Sequence, residues 1–228
     1  MPNVFRAVAV GAVCLVSLAQ PSSLLAQEPA DQPGEGNASI YNLDRSAGVG
    51  GVAIDGPINK TVASRAVELI KSIRPDVDEL TVYLNSPGGD VLAAIELGEV
   101  VRSQWALTTV ADQQSECLGA CVLVLAAGVR RTPAPDKVGL YRPSFDPKES
   151  ARDRGGQKTA ALTKKVQAYL AHMGMPDRLF KEMMQRPPDK MLKLDAAQLK
   201  ALGLEGVYPA YEQWLRANAN QPRPAQSN

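Results

Sequence analysis

The feature that most constrains the fold is an abrupt change of period at residues 80–101. Leu80-Thr81-Val82-Tyr83-Leu84 is a β-branched and aromatic run, the strongest strand signal in the chain. Asn85-Ser86-Pro87-Gly88-Gly89 breaks it, and Val91 to Val101 then follows a helical period. Proline fixes one dihedral of such a turn, and two glycines admit backbone conformations closed to other residues. The same alternation recurs along the chain. Gly50 to Ile54 reads as a strand, and Thr61 to Ile73 as a helix stopped by Pro75. Ala106 to Ala111 reads as a strand, Leu118 to Ala127 as a buried helix, Arg130 to Pro135 as a turn, and Val138 to Tyr141 as a strand ended by Pro143. Repeated strand–helix units imply an α/β fold with a mainly parallel sheet and helices packed on its faces. Continuous apolar runs suit strands buried on both sides.

Beyond this core, Phe145 to Gln157 reads as a charged loop, followed by helices at Thr159–Met173, Pro176–Met184 and Ala196–Leu202. Gly174 is placed to cap the first of them. The stripe Leu162, Val166, Tyr169, Leu170, Met173, Leu179, Met183 fits either packing on the chain's own core or an oligomeric face. At the other end, Arg6 precedes an apolar run from Ala7 to Ala19, and Leu24-Leu25-Ala26 offers a cleavage point before Gln27. Residues 1–26 are therefore expected to be a signal peptide. The run is short for a membrane span of roughly 20 residues, so an uncleaved N-terminal membrane anchor is the alternative. The expected organisation is signal peptide 1–26, polar linker 27–46, an α/β domain at 47–207, and a C-terminal extension with disordered tail at 208–228. The mature protein is then periplasmic or secreted, with no stable membrane span after cleavage. The formal net charge of +1 mixes both signs, which argues against nucleic acid as a partner.

Taken alone, the Asn85–Gly89 turn is either a tight turn or a cradle of backbone amides for an incoming oxygen. After removal of the leader, Cys117 and Cys121 are the remaining cysteines, an even number in a compartment that permits disulfides. They are expected to be bridged, with buried thiols or a catalytic thiol as alternatives.

Three stretches together resemble the active-site frame of the Clp protease family, within the wider Clp/crotonase superfamily. They are Leu84–Val91, Cys117-Leu118-Gly119-Ala120-Cys121, and the Ala126-Ala127-Gly128 that follows. The resemblance spans roughly residues 48 to 205 and implies a Clp/crotonase-like α/β fold with a C-terminal helical handle. In that family a serine precedes a buried helix ending in Ala-Ala-Gly; here Gly119 stands in its place. The family's base histidine lies in a strand ending His-Gln-Pro; here the stretch is Gly139-Leu140-Tyr141-Arg142-Pro143, with Tyr141 in the base position. The family's acid falls near Pro187, with Asp189 two residues away. The resemblance further implies an oxyanion hole from the Gly88-Gly89 turn and the amide of Ala120. A set of exported Clp-like proteins with Cys-x-Ser-Ala-Cys and His-Arg-Pro motifs is closer still; this chain keeps the cysteines and Arg142-Pro143 but lacks that serine and histidine.

Other residues offer no replacement. Ser86 reads as a hydrogen-bonding member of its turn and Ser115 as loop. His172, the only histidine, sits at a helix end, where it faces the terminal carbonyls favourably. A tyrosine with a pKa near 10 needs strong perturbation to act as a base. No cluster has metal-ligand spacing and no nucleotide fingerprint is present, so no cofactor is expected. The expected function is an exported, catalytically inactive serine-peptidase homologue acting as a peptide-binding or assembly module, with a peptide or acyl group in the groove as its candidate ligand and a homo-oligomer as its candidate assembly. The rival is an active hydrolase using Cys117 or Cys121, or a crotonase-like enolate chemistry that would require coenzyme A.

Overall fold

The computed structural model describes residues 35–110, 114–143, 153, 156–187 and 189–218. Contacts divide the chain into Met1–Gln32 and Pro33–Asn228, and every described residue belongs to the second unit. The expected signal peptide, the start of the linker, most of the 145–157 loop and the tail beyond residue 218 lie outside the described residues.

Nine strands and seven helices are described. The main sheet has the order β1(Asn37–Asp44), β2(Val49–Asp55), β3(Glu79–Asn85), β4(Leu107–Val110), β6(Arg130–Pro133), β9(Gly206–Val207). Its four central strands are parallel, and β1 and β9 close the edges antiparallel. A small second sheet holds β5(Cys117–Leu118), β7(Val138–Leu140) and β8(Leu192–Lys193). The α/β class and the mainly parallel core agree with the strand–helix alternation in the sequence.

The elements form where local chemistry asks for them. In β3, Leu80, Val82 and Leu84 are buried and the residues between them half-buried, the period of two that a sheet imposes. α1(Lys60–Ile73) starts at Asn59, whose side-chain oxygen accepts from the Val62 amide at 2.9 Å. It buries Val62, Ala63, Ala66, Leu69, Ile70 and Ile73, a single helical face. Pro75 then turns the chain into a short 3₁₀ segment. α2(Val91–Ser103) is capped by Asp90, which accepts from the Leu92 and Ala93 amides at 2.7 and 3.1 Å. All seven residues of α3(Cys121–Ala127) are buried, so this helix forms the centre of the core.

Several expectations need correction. Within the supposed 27–46 linker, Asn37–Asp44 is a strand paired with β2. Its polar composition misleads because an edge strand buries little; only Ala38 is fully covered. Residues 130–133 are strand β6 rather than turn. Arg131 is 5% exposed, and carbonyls of Gly128 and Gly203 accept from its guanidinium, which is how a charged residue enters a central strand. The chain from 208 onwards is not a tail at first: α7(Pro209–Ala217) packs Tyr211 against Trp105, with ring centroids 5.4 Å apart. Arg102 lies 4.1 Å over the Tyr208 ring. The signal was present in Tyr211, Trp214 and Leu215, spaced for one helical face.

The handle consists of α4(Gln157–His172) and α5(Asp177–Gln185), followed by α6(Ala196–Ala201). Leu162, Val166, Tyr169, Leu170, Met173, Leu179 and Met183 are all buried within the same core as the sheet. Of the two readings of that stripe, intramolecular packing is the one the structure shows. His172 pairs with Glu99 of α2, Nε2 to Oε2 3.5 Å, instead of serving only its own helix end.

Candidate functional site

The site forms where the β3–α2 turn meets the β5–α3 turn, beyond the carboxyl end of β3. The two turns are joined by backbone hydrogen bonds. Ser86 donates to the Glu116 carbonyl at 2.6 Å, and Leu118 donates to Ser86 at 3.0 Å. Gly119 donates to Gly139 of β7 at 2.9 Å. Asn85 adds a side-chain tie: its amide donates to Asp55 at 3.1 Å, and its oxygen accepts from the Glu116 backbone at 3.2 Å. Glu116 in turn pairs with Lys193 of β8. Sequence reasoning missed Asn85 as a brace, although its place at the strand end was visible.

The glycines are needed here. Gly88 and Gly89 adopt φ of 109° and 136°, and Gly119 adopts 54°, conformations that L side chains rarely hold. A β-carbon on Gly89 would lie 2.2 Å from the Ile58 carbonyl oxygen. That close approach is a parallel bridge between Ile58 and Gly89. The bridge uses the Gly88 carbonyl, which accepts from Ile58 at 2.7 Å, and the Asp90 amide, which donates to Ile58 at 2.7 Å. Gly89's own amide therefore points away from it. Among the described residues, neither the Gly89 nor the Ala120 amide donates a hydrogen bond to the protein.

Tyr141 lies directly over Gly119. A β-carbon there would sit 2.1 Å from both Cζ and Oη of Tyr141. One on Gly88 would sit 2.7 Å from the same Oη, 2.9 Å from the Leu118 carbonyl oxygen and 3.4 Å from the Ala120 nitrogen. The Tyr141 hydroxyl donates to the Pro87 carbonyl at 3.5 Å, a long bond. Burial raises the Tyr141 pKa above the ordinary phenol value, so the group holds its proton.

Cys117 and Cys121 are joined in a disulfide with a Cα–Cα distance of 5.2 Å. Both are wholly buried. The bridge brackets Leu118, Gly119 and Ala120, from the first residue of β5 to the first residue of α3. Ser86 is buried; its Oγ accepts from the Gly88 amide and donates to the Gly88 carbonyl, both at 3.2 Å, as a turn residue does. Ser115 is also buried. The Pro187 region does approach Tyr141: the Arg142 amide donates to the Arg186 carbonyl at 2.7 Å, and its side chain donates to Met184 at 3.1 Å. Asp189 itself is exposed, and no carboxylate bonds to Tyr141 among the described residues. His172 belongs to the handle surface, on α4. Met191 was not anticipated. Its sulfur lies 2.4 Å from where a β-carbon on Gly139 would be, so it covers β7, the strand that leads into Tyr141. The glycine inside that strand was the available signal.

Chemically the arrangement offers two backbone amides with no acceptor among the described residues, a protonated phenol and a locked disulfide. Among the described residues it has no group of three or more His, Cys, Asp or Glu side chains able to hold a metal ion. Among the same residues no helix is long and apolar enough to cross a membrane.

No curated protein matches the chain. The family model for Clp protease matches residues 36–198, from just before β1 into α6. With most of its length covered by that match, and with the fold and turns described above, this chain belongs to the Clp protease family.

Proposed function

We propose that this protein is an exported Clp-protease homologue that has lost serine-peptidase chemistry and serves as a peptide-binding module. The observation that carries the reading is Tyr141 over Gly119. If Gly119 occupies the nucleophile's position, the hydroxyl that should attack is absent. The phenol of Tyr141 fills the space that hydroxyl would need. Tyr141 is also a poor base, because burial favours its neutral form. The buried disulfide supports the same conclusion against the rival, since a bridged sulfur is no thiolate. The exposed Gly89 edge and the two amides that donate to no protein acceptor among the described residues are the means of holding an extended backbone.

Export is part of the proposal and rests on the N-terminal sequence, with support from the disulfide. Homo-oligomerisation is retained as a proposal without the handle stripe, whose residues are used internally.

The experiment is turnover of peptide and acyl reporter substrates by the protein beside the double variant Gly119→Ser/Tyr141→His. A silent natural protein, and a variant that gains turnover or labels with a fluorophosphonate, is the expected result. Turnover by the natural protein at an enzymatic rate overturns the reading.

A further inference from the structure

We propose that Met191 is the site at which a peroxide oxidant modifies this protein, and that its sulfoxide uncovers Gly139 and loosens the turn that carries Gly119. The oxidation needs no ligand in the groove.

Sulfur chemistry narrows to one side chain. Cys117 and Cys121 are already joined, so among the described residues the sulfurs left for an oxidant are thioethers. Met173, Met175 and Met183 are buried, and Met184 is half-buried. Met191 is 38% exposed, and the exposed Asp189 and Lys190 precede it. Oxidation turns such a side chain from apolar to polar. The sulfur lone pair attacks one peroxide oxygen as the O–O bond breaks. Sulfur keeps that oxygen and is oxidised by two electrons; the other oxygen takes the first one's proton and leaves as water.

The Met191 sulfur is also the nearest atom to the side of Gly139 where a side chain would stand, followed by Leu118 Cδ2. It therefore packs on the glycine backbone beside a leucine methyl. β7 and β8 run antiparallel, with Gly139 opposite Lys193 and Leu140 opposite Leu192. One residue further along that register, Met191 stands across from Tyr141. The two covered residues hold the site's turns in place. The Gly139 carbonyl accepts from the Gly119 amide at 2.9 Å, and the Leu118 amide donates to the Ser86 carbonyl at 3.0 Å.

A thioether suits that place because it is apolar and adaptable. A sulfoxide does not. Its oxygen is an acceptor, and a leucine methyl and a glycine α-carbon offer it no donor. The oxidised side chain turns to the water it already meets, and Gly139 and Leu118 lose their cover.

The test treats the protein with dilute hydrogen peroxide and maps its peptides by mass spectrometry. Met191 sulfoxide should form first, well before any at Met173, Met175, Met183 or Met184. Amide exchange at Gly119 is then followed by NMR. Losing a cover equivalent to roughly one or two methylene groups should quicken it about tenfold in the oxidised protein. Met191→Leu keeps an apolar cover that peroxide does not alter, so its treated and untreated forms should exchange alike. Met191→Gln, polar and of similar length, should exchange faster without any oxidant. First oxidation at another of these methionines, unchanged exchange at Gly119 in the Met191 sulfoxide, or faster exchange in treated Met191→Leu each overturns the proposal.

Discussion

Gly119 and Tyr141 are sterically interlocked: any β-carbon at 119 would lie 2.1 Å from the Tyr141 hydroxyl oxygen. The Tyr141 ring in its present place requires a residue without a side chain at 119, since any β-carbon there would force the ring aside. Gly119→Ser alone should destabilise by about 2–5 kcal/mol, combining the cost of left-handed backbone with that of overpacking. Adding Tyr141→His should recover the steric part and leave roughly 1–2 kcal/mol from the backbone at φ 54°. A double-mutant cycle of urea midpoints checks this; additive effects would show that the two residues do not share that space.

A second interlock lies in the core. A β-carbon on Gly98 of α2 would lie 1.8 Å from the Tyr169 hydroxyl oxygen, which donates to the Leu123 carbonyl at 2.8 Å. Gly98→Ala should cost about 1–3 kcal/mol despite alanine's better helix propensity. The penalty should shrink in a Tyr169→Phe background, where the closest atom is gone. Thermal unfolding of the four proteins of that cycle decides it.

The same tyrosine predicts alkaline behaviour. Burial holds the Tyr169 pKa far above the ordinary phenol value of 10. Its contribution is therefore complete below about pH 10, and it is lost as pH rises beyond, because the unfolded chain releases a proton that the folded one retains. Arg131 acts in the opposite direction, since burial lowers its folded pKa to about 10; stability rises from that source as pH climbs through this value. Both natural protein and Tyr169→Phe carry the Arg131 effect, so their difference isolates the tyrosine. The stability gap between them should narrow by up to about 1.4 kcal/mol per pH unit above pH 10. A gap that stays constant there would contradict a buried, protonated Tyr169.

The sequence made the central frame legible because its signals were local. Leu80–Leu84, the Pro-Gly-Gly turn and the apolar run before Gly128 each declare their state within a few residues, and strand, turn and buried helix follow. What it hid depended on partners far along the chain. Asn37–Asp44 reads as linker because an edge strand needs only Ala38 inside. Arg131 reads as turn because its carbonyl acceptors, at Gly128 and Gly203, come from the fold. Tyr211 looks like part of a tail until Trp105 is brought beside it. At the site, the missing serine and histidine could be read from the motif. The coupling of Gly119 to Tyr141 could not, because it is a distance between two turns. The handle stripe illustrates a further limit: periodicity shows that a face is covered, and only the structure shows by what.

The bridge between Cys117 and Cys121 yields the prediction that separates the binding module from its rival. Both sulfurs are buried under the β5–α3 turn and joined, so an alkylating reagent should modify neither position in the native protein. Peptide mapping is the required readout, because Cys14 near the N-terminus supplies a third thiol to the full chain. Labelling should appear at 117 and 121 only after reductant and denaturant together. The bridge closes a very short loop, for which the chain-entropy relation gives about 2 kcal/mol. Replacing both cysteines by alanine should lower stability by about that amount, and it should loosen the turn that presents the Ala120 amide. Peptide affinity would then fall in the same variant. A native protein that reacts at Cys117 or Cys121 without reductant, and loses reporter turnover on doing so, would instead identify a displaced thiol nucleophile and make this chain an active hydrolase.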